Sequence, residues 1–144
     1  MARVQLALNV PDIEEAVGFY SKLFATEPAK CKPGYANFAI ADPPLKLVLF
    51  EKAGADSRLN HLGVEVESTE AVTAHQARLT DEGVATVEEN GTCCFANQDK
   101  VWVDGPDGSW EIYRVLADSD SFGTSSSHVD DAGDSLCCAN VPEA

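Results

Sequence analysis

Basic side chains are scarce in this chain: 10 Lys and Arg stand against 24 Asp and Glu in 144 residues, a formal net charge of −14. A surface of that sign repels polyanions, which excludes nucleic acid and an anionic membrane face as partners. No stretch of about eighteen apolar residues occurs, so no segment reads as a membrane span. The N-terminus, Met1-Ala2-Arg3-Val4-Gln5, enters a strand-like alternation at once and lacks the layout of a signal peptide. The default expectation is a cytoplasmic protein. A disulfide framework is missing too. The five cysteines are Cys31 and two adjacent pairs, Cys93-Cys94 and Cys137-Cys138, an odd count without an export signal. Vicinal pairs point instead to a soft metal or metalloid.

What is present suits one compact domain, since 44% of the residues are hydrophobic. Two segments are versions of one another. Val4-Gln5-Leu6-Ala7-Leu8-Asn9-Val10 alternates with period two, and Asn60-His61-Leu62-Gly63-Val64-Glu65-Val66 repeats the pattern 56 residues later. Gln5 and His61 therefore hold equivalent places. Each strand feeds a helix. Asp12 reads as an N-cap with Glu15 three residues on, and Ile13, Ala16, Val17, Tyr20, Leu23 and Phe24 follow at helical spacing. In the second copy Ser68 caps, Val72 and Leu79 face the core, and Gly83 ends the helix.

Three short strands are expected after each helix, about 28–31, 35–40 and 45–51, then 86–89, 100–103 and 110–116, with Pro33-Gly34, Pro43-Pro44 and Gly105–Gly108 as turns. The expected fold is α+β: two βαβββ modules, about 1–52 and 58–117, forming a curved mixed sheet around a metal-binding cavity. Residues 118–144 form an expected flexible acidic tail, with six acids and no Lys or Arg.

Strand alternation puts Gln5, Ala7 and Asn9 on the face opposite Leu6 and Leu8. It likewise puts His61, Gly63 and Glu65 opposite Leu62 and Val64, and Glu111 with Tyr113 opposite Trp110 and Ile112. Gln5, His61 and Glu111 offer an amide oxygen, an imidazole nitrogen and a carboxylate, which leaves coordination positions open for substrate or dioxygen. A fourth ligand would come from the first-module counterpart of Glu111, where turn alignment gives Leu47. A lone strand histidine is more often structural, but the equivalence of Gln5 and His61 favours a site. His75 and His128 read as surface residues and Cys31 as a packing residue. Tyr35, Phe38, Phe95 and Trp102 read as sheet core before pocket lining.

The segments 3–10, 32–40, 60–66 and Cys93-Cys94-Phe95-Ala96-Asn97-Gln98-Asp99-Lys100-Val101-Trp102-Val103 resemble a branch of the vicinal oxygen chelate superfamily, also called the glyoxalase/bleomycin-resistance/extradiol-dioxygenase fold. That branch holds the cadmium-induced protein and the arsenic-inducible C–As lyase. The resemblance implies a non-haem Fe(II) dioxygenase that converts methylarsonous acid to arsenite and formaldehyde. Its metal and catalytic residues carry over to Gln5, His61 and Glu111, and its substrate thiols to Cys93 and Cys94. It leaves monomer and homodimer both open. Two glyoxalase features are missing: a fourth ligand, replaced by Leu47, and a basic pocket for glutathione.

Two thiols match the two exchangeable hydroxyls of a monosubstituted trivalent arsenical. Adjacent strand residues point to opposite faces, so both reach one arsenic only in a loop, which Asn90-Gly91-Thr92 is expected to supply. Competing readings are a protein that sequesters cadmium through its thiols and a different activity of the same fold. Ring cleavage would use an imidazole where Gln5 stands. Cys137-Cys138 is expected to be dispensable, with a truncation at about Ala117 retaining activity.

Overall fold

The computed structural model describes residues 2–93 and 95–118, with Cys93 described by its backbone alone. The expected tail beyond Asp118, with His128 and Cys137-Cys138, and the Cys94 thiol lie outside the described residues.

The element order is β1 (Arg3–Val10), α1 (Ile13–Leu23), β2 (Lys30–Lys32), β3 (Tyr35–Ile40), β4 (Leu45–Glu51), β5 (Leu59–Glu65), α2 (Thr69–Asp81), β6 (Val87–Cys93), β7 (Ala96–Gly105) and β8 (Gly108–Asp118). This is βαβββ twice, as the repeat implied. Both helices start where their caps predict. The Glu15 amide donates to Asp12 Oδ1 at 3.1 Å and the Ala71 amide to Ser68 Oγ at 3.0 Å. Gly83, at φ 79°, takes the left-handed turn that ends α2.

All eight strands form one sheet in the order β2-β3-β4-β1-β5-β8-β7-β6. The two leading strands, β1 and β5, pair antiparallel at its centre. Each takes the last strand of its own module as a parallel neighbour, β1 with β4 and β5 with β8. Alternation then sorts the side chains. Val10, Phe38, Ile40, Leu47 and Leu49 pack with Ile13, Val17 and Tyr20 of α1. Val66 and Val101 pack on Val72 of α2, with Val64 and Ile112 beside them. The opposite face carries a smaller cluster of Ala7, Tyr35, Val48, Phe50 and Phe95, with the buried polar side chains of Gln5, His61 and Glu111 beside it. No described helix is long and apolar enough to cross a membrane.

Two expectations are corrected. Asn90-Gly91-Thr92 is not a loop: β6 runs through it, pairing these residues with Asp99, Gln98 and Asn97 of β7. The ladder supplies the backbone partners that override the local turn signal, and Gly91 accommodates φ 135°. The irregularity lies one step later. Cys93 and Ala96 are register partners, and Phe95, just before Ala96, takes φ 63°. Cys31 is not a packing residue. On the short edge strand β2, Lys30 and Lys32 turn toward the Phe95 ring and Cys31 turns away, exposed.

Candidate functional site

Register brings the three expected metal residues into one cluster. Gln5 of β1 is opposite Gly63 of β5, and Gly63 is opposite Glu111 of β8. The Gln5, His61 and Glu111 side chains project over Gly63 from three adjacent strands, and all three are buried. Gln5 Nε2 donates to Glu111 Oε1 at 2.7 Å and lies 3.1 Å from His61 Nε2. His61 Nε2 is 3.4 Å from Glu111 Oε1.

Gly63 is what permits this convergence. A Cβ there would lie 2.9 Å from both the Glu111 Cγ and its backbone oxygen, and 3.2 Å from Gln5 Nε2. Interior glycine in a strand commonly marks such a close approach.

Partners hold each donor in place. Asn60 Oδ1 lies 2.8 Å from His61 Nδ1, and Asn60 Nδ2 donates to Asn9 Oδ1 at 2.9 Å. Because Asn60 is thereby oriented to accept from the ring, the proton sits on Nδ1 and the Nε2 lone pair faces the cluster. The Tyr113 hydroxyl donates to Gln5 Oε1 at 2.6 Å. Lys100 Nζ donates to Glu111 Oε2 at 2.8 Å and lies 5.5 Å from the Trp102 ring centre. Trp102 stands edge-on to His61 at 5.2 Å.

Burial would raise the Glu111 pKa, but the Lys100 ammonium, the largest of the opposing influences, helps to hold the carboxyl well below the usual range. Burial, reinforced by the Glu111 charge, pushes the Tyr113 hydroxyl well above its ordinary value, so it stays a donor.

The donor set fits a divalent cation. Three ligands on one octahedral face lie about 3 Å apart when each bond is about 2.1 Å, and the separations here run from 2.7 to 3.4 Å. A half-turn of the Gln5 amide brings Oε1 toward His61 and Glu111 and lets Nε2 donate to the Tyr113 oxygen. The described residues contain no group of three or more His, Cys, Asp and Glu, so the cluster depends on its amide.

The first module contributes no fourth ligand, though for a different residue than expected. Ala7 is opposite Val48 just as Gly63 is opposite Glu111. Val48, not Leu47, is therefore the counterpart of Glu111. Turn alignment misses by one residue, and one residue exchanges the faces: Leu47 packs on the α1 side while Val48 lines the cavity.

The cluster forms the inner end of a cavity of about 170 Å³, walled by Tyr35, Val48, Phe50 and Val115, with Lys30 and Lys46 also in its lining. Tyr35 thus does line a pocket, whereas Phe38 belongs to the core under α1. Residues next to the expected thiols form part of its rim. Ala96, the register partner of Cys93, lines the cavity. Lys30 Nζ donates to the Phe95 carbonyl at 2.8 Å, and the Phe95 ring packs on Tyr35 at 5.1 Å. The backbone on both sides of Cys94 is tied to this rim. His75 is remote from the cluster, on α2 beside Arg78.

Reading the sequence alone passes over Gly63, Asn60, Lys100 and Tyr113 as site residues. Signals existed: Gly63 interrupts a strand, and Tyr113 shares the parity of Glu111. Lys100 alternates with Gln98 and Trp102 on the inward face of β7.

Residues 3–111 match the family described as Glyoxalase/Bleomycin resistance protein/Dioxygenase superfamily. The chain is 63% identical over 142 residues to the cadmium-induced protein CadI of Mycobacterium tuberculosis, covering 96% of this chain and 93% of that protein. It is 60% identical over 141 residues to a trivalent organoarsenical cleaving enzyme of Thermomonospora curvata, covering 96% of this chain and 89% of the relative. Among solved structures, catechol 2,3-dioxygenase is similar in fold with a TM-score of 0.57 at 16% identity, over 90% of this chain and 48% of that one.

Proposed function

We propose that this chain, which belongs to the glyoxalase/bleomycin resistance protein/dioxygenase superfamily, is a carbon–arsenic lyase that degrades trivalent organoarsenicals such as methylarsonous acid to arsenite, acting as a non-haem Fe(II) dioxygenase. The observation that carries the reading is the convergence of Gln5, His61 and Glu111 in a cavity whose lining includes Ala96, the register partner of Cys93. A relative named for cleaving trivalent organoarsenicals supports it.

Gln5, His61 and Glu111 would hold the iron, which supplies the electron transfer that lets dioxygen react with a closed-shell substrate. The remaining work falls to the chain's own side chains. Each thiol of Cys93 and Cys94 forms one As–S bond, and its proton leaves with a displaced hydroxide as water. The C–As bond is untouched by that exchange. Soft thiolates select arsenic, while the N/O cluster selects a harder cation. Lys100 keeps Glu111 ionised, Asn60 keeps the His61 Nε2 lone pair available, and Tyr113 orients the Gln5 amide. Tyr35, Val48 and Phe50 shield the organic group from water and hold it in one orientation, a source of several powers of ten in rate.

The reaction balances without an outside reductant. Methylarsonous acid and one dioxygen contain the atoms of arsenite and formaldehyde; arsenic stays trivalent and the methyl carbon gives up the electrons that dioxygen accepts.

The direct test is protein reconstituted anaerobically with Fe(II), given methylarsonous acid and then oxygen, with arsenite followed by arsenic speciation. Multiple turnovers are expected, lost in Cys94→Ala. The similarity to a cadmium-induced protein favours one other reading, stoichiometric capture of cadmium by the thiols. That reading requires tight cadmium binding, indifferent to Glu111→Ala, with no arsenite released.

A further inference from the structure

We propose that Lys46 is a specificity-determining residue that gives the cavity a subsite for an anionic substituent, such as a carboxylate, on the organic group of a trivalent arsenical. The inference rests on the lyase reading above and names the class of substrate that this cavity distinguishes.

Lys46 lies in β4 as the register partner of Gln5, on the cavity face, and lines the cavity. Its position beside the cluster follows from the sheet and not from a flexible loop. The charged groups around it are Glu65, Arg3, Lys30 and Asp118, and each is already engaged. Arg3 pairs with Glu65. Lys30 bonds the Phe95 carbonyl and lies 3.3 Å from Asp118, whose side chain is 86% exposed. Across the cavity, Glu111 takes the Lys100 ammonium.

Lys46 is different. Among the described residues its Nζ has no hydrogen bond and no ion pair, and the side chain is half-buried. Burial lowers its pKa, Glu65 opposes that, and the neighbouring Arg3 and Lys30 charges add to it. Among the described residues, Lys46 thus stands on the wall of this cavity without a carboxylate in contact. A ligand anion would supply the missing partner.

The rest of the lining suits the group that would carry that anion. Tyr35, Val48 and Phe50 give the same cavity an apolar wall. The volume of about 170 Å³ exceeds that of a methyl group. An apolar cavity of about 150 Å³ takes up benzene, so a phenyl ring fits. A ring held by arsenic at the rim and carrying a carboxylate meets both a wall and a cation.

The test compares phenylarsonous acid with 4-carboxyphenylarsonous acid, which share the thiol-reactive arsenic and differ in the anion. Dissociation constants are measured by anaerobic titration of Fe(II)-loaded full-length protein, in the natural sequence, Lys46→Met and Lys46→Arg. Lys46→Met is expected to weaken the carboxylated compound about tenfold relative to phenylarsonous acid, the loss of one hydrogen bond to a charged group. Phenylarsonous acid serves as the folding control and should change by less than about twofold, within the range of a surface change. Lys46→Arg should recover most of the preference. Both compounds binding with a ratio that ignores Lys46→Met would overturn the subsite and leave the lyase reading standing. Neither compound binding would overturn both.

Discussion

Glu111→Ala is expected to reduce turnover of methylarsonous acid to background and, separately, to cost about 3–5 kcal/mol of stability, because it breaks a buried ion pair. Lys100 and Glu111 are almost wholly enclosed, with side-chain exposures of 1% and 3%, and their contact is 2.8 Å. Removing the carboxylate takes away a counter-charge in direct contact, while the Trp102 and Tyr113 ring centres stay within 5.5 and 5.8 Å of the ammonium. The two losses have different cures. Combining Glu111→Ala with Lys100→Met removes the other half of the broken pair and should restore most of the stability, while activity stays absent because a metal donor is gone. Urea unfolding reads the first quantity through a shift in midpoint at constant slope, and arsenic speciation reads the second. A double variant that remains as unstable as Glu111→Ala would refute the broken-pair account.

The same pair sets the direction of an acid limit in metal-free protein. The folded pKa of Glu111 is depressed, below the unfolded value of about 4.3. Its contribution is therefore complete above that value and is lost as pH falls toward the folded pKa. Stability of the metal-free protein should decline below about pH 4, and less steeply in Lys100→Met.

Gly63→Ala is expected to be the most damaging single methyl in the site. The added Cβ would meet the Glu111 Cγ and the Glu111 backbone oxygen at 2.9 Å, and Gln5 Nε2 at 3.2 Å. A flexible side-chain end yields cheaply, but the backbone of β8 is held in register by β5 and β7. The strain should cost about 1–3 kcal/mol, as overpacking in a sheet does. Relief by moving β8 would spread the Gln5 and Glu111 donors, so affinity for a divalent ion should drop about 10–100-fold, the scale of a disturbed support shell. Titration with Mn(II) under anaerobic conditions measures this apart from turnover. Unchanged metal affinity in Gly63→Ala would mean that the cluster does not depend on the close approach of β5 and β8.

Much of this architecture was legible in the residues. The period-two repeat of 4–10 in 60–66, each followed by a capped helix, already implied paired βαβββ modules. It also put Gln5, His61 and Glu111 on one parity, because strand side chains alternate whatever surrounds them. The caps at Asp12 and Ser68 behave as local chemistry requires, since a side-chain oxygen two or three residues from a free amide needs no tertiary help. Elsewhere, local signals were outvoted. Asn90-Gly91-Thr92 has turn composition, yet β7 offers it a complete ladder and it becomes strand. The Leu47 alignment failed because turn lengths do not fix register to one residue, and Val48 took the inward place.

Alternation, spacing and capping thus determined by themselves the module count, the two helices, and the face on which Gln5, His61 and Glu111 lie. Each depends on residues a few positions apart. Only the tertiary structure decided that Gly63 allows those three to meet, that Lys100 ends buried against Glu111, and that Lys46 has no carboxylate in contact among the described residues. Those outcomes depend on which strands lie side by side and in what register. Residues as far apart as 5 and 111 meet by way of hydrogen bonds between strands, and those bonds form only when the sheet is assembled.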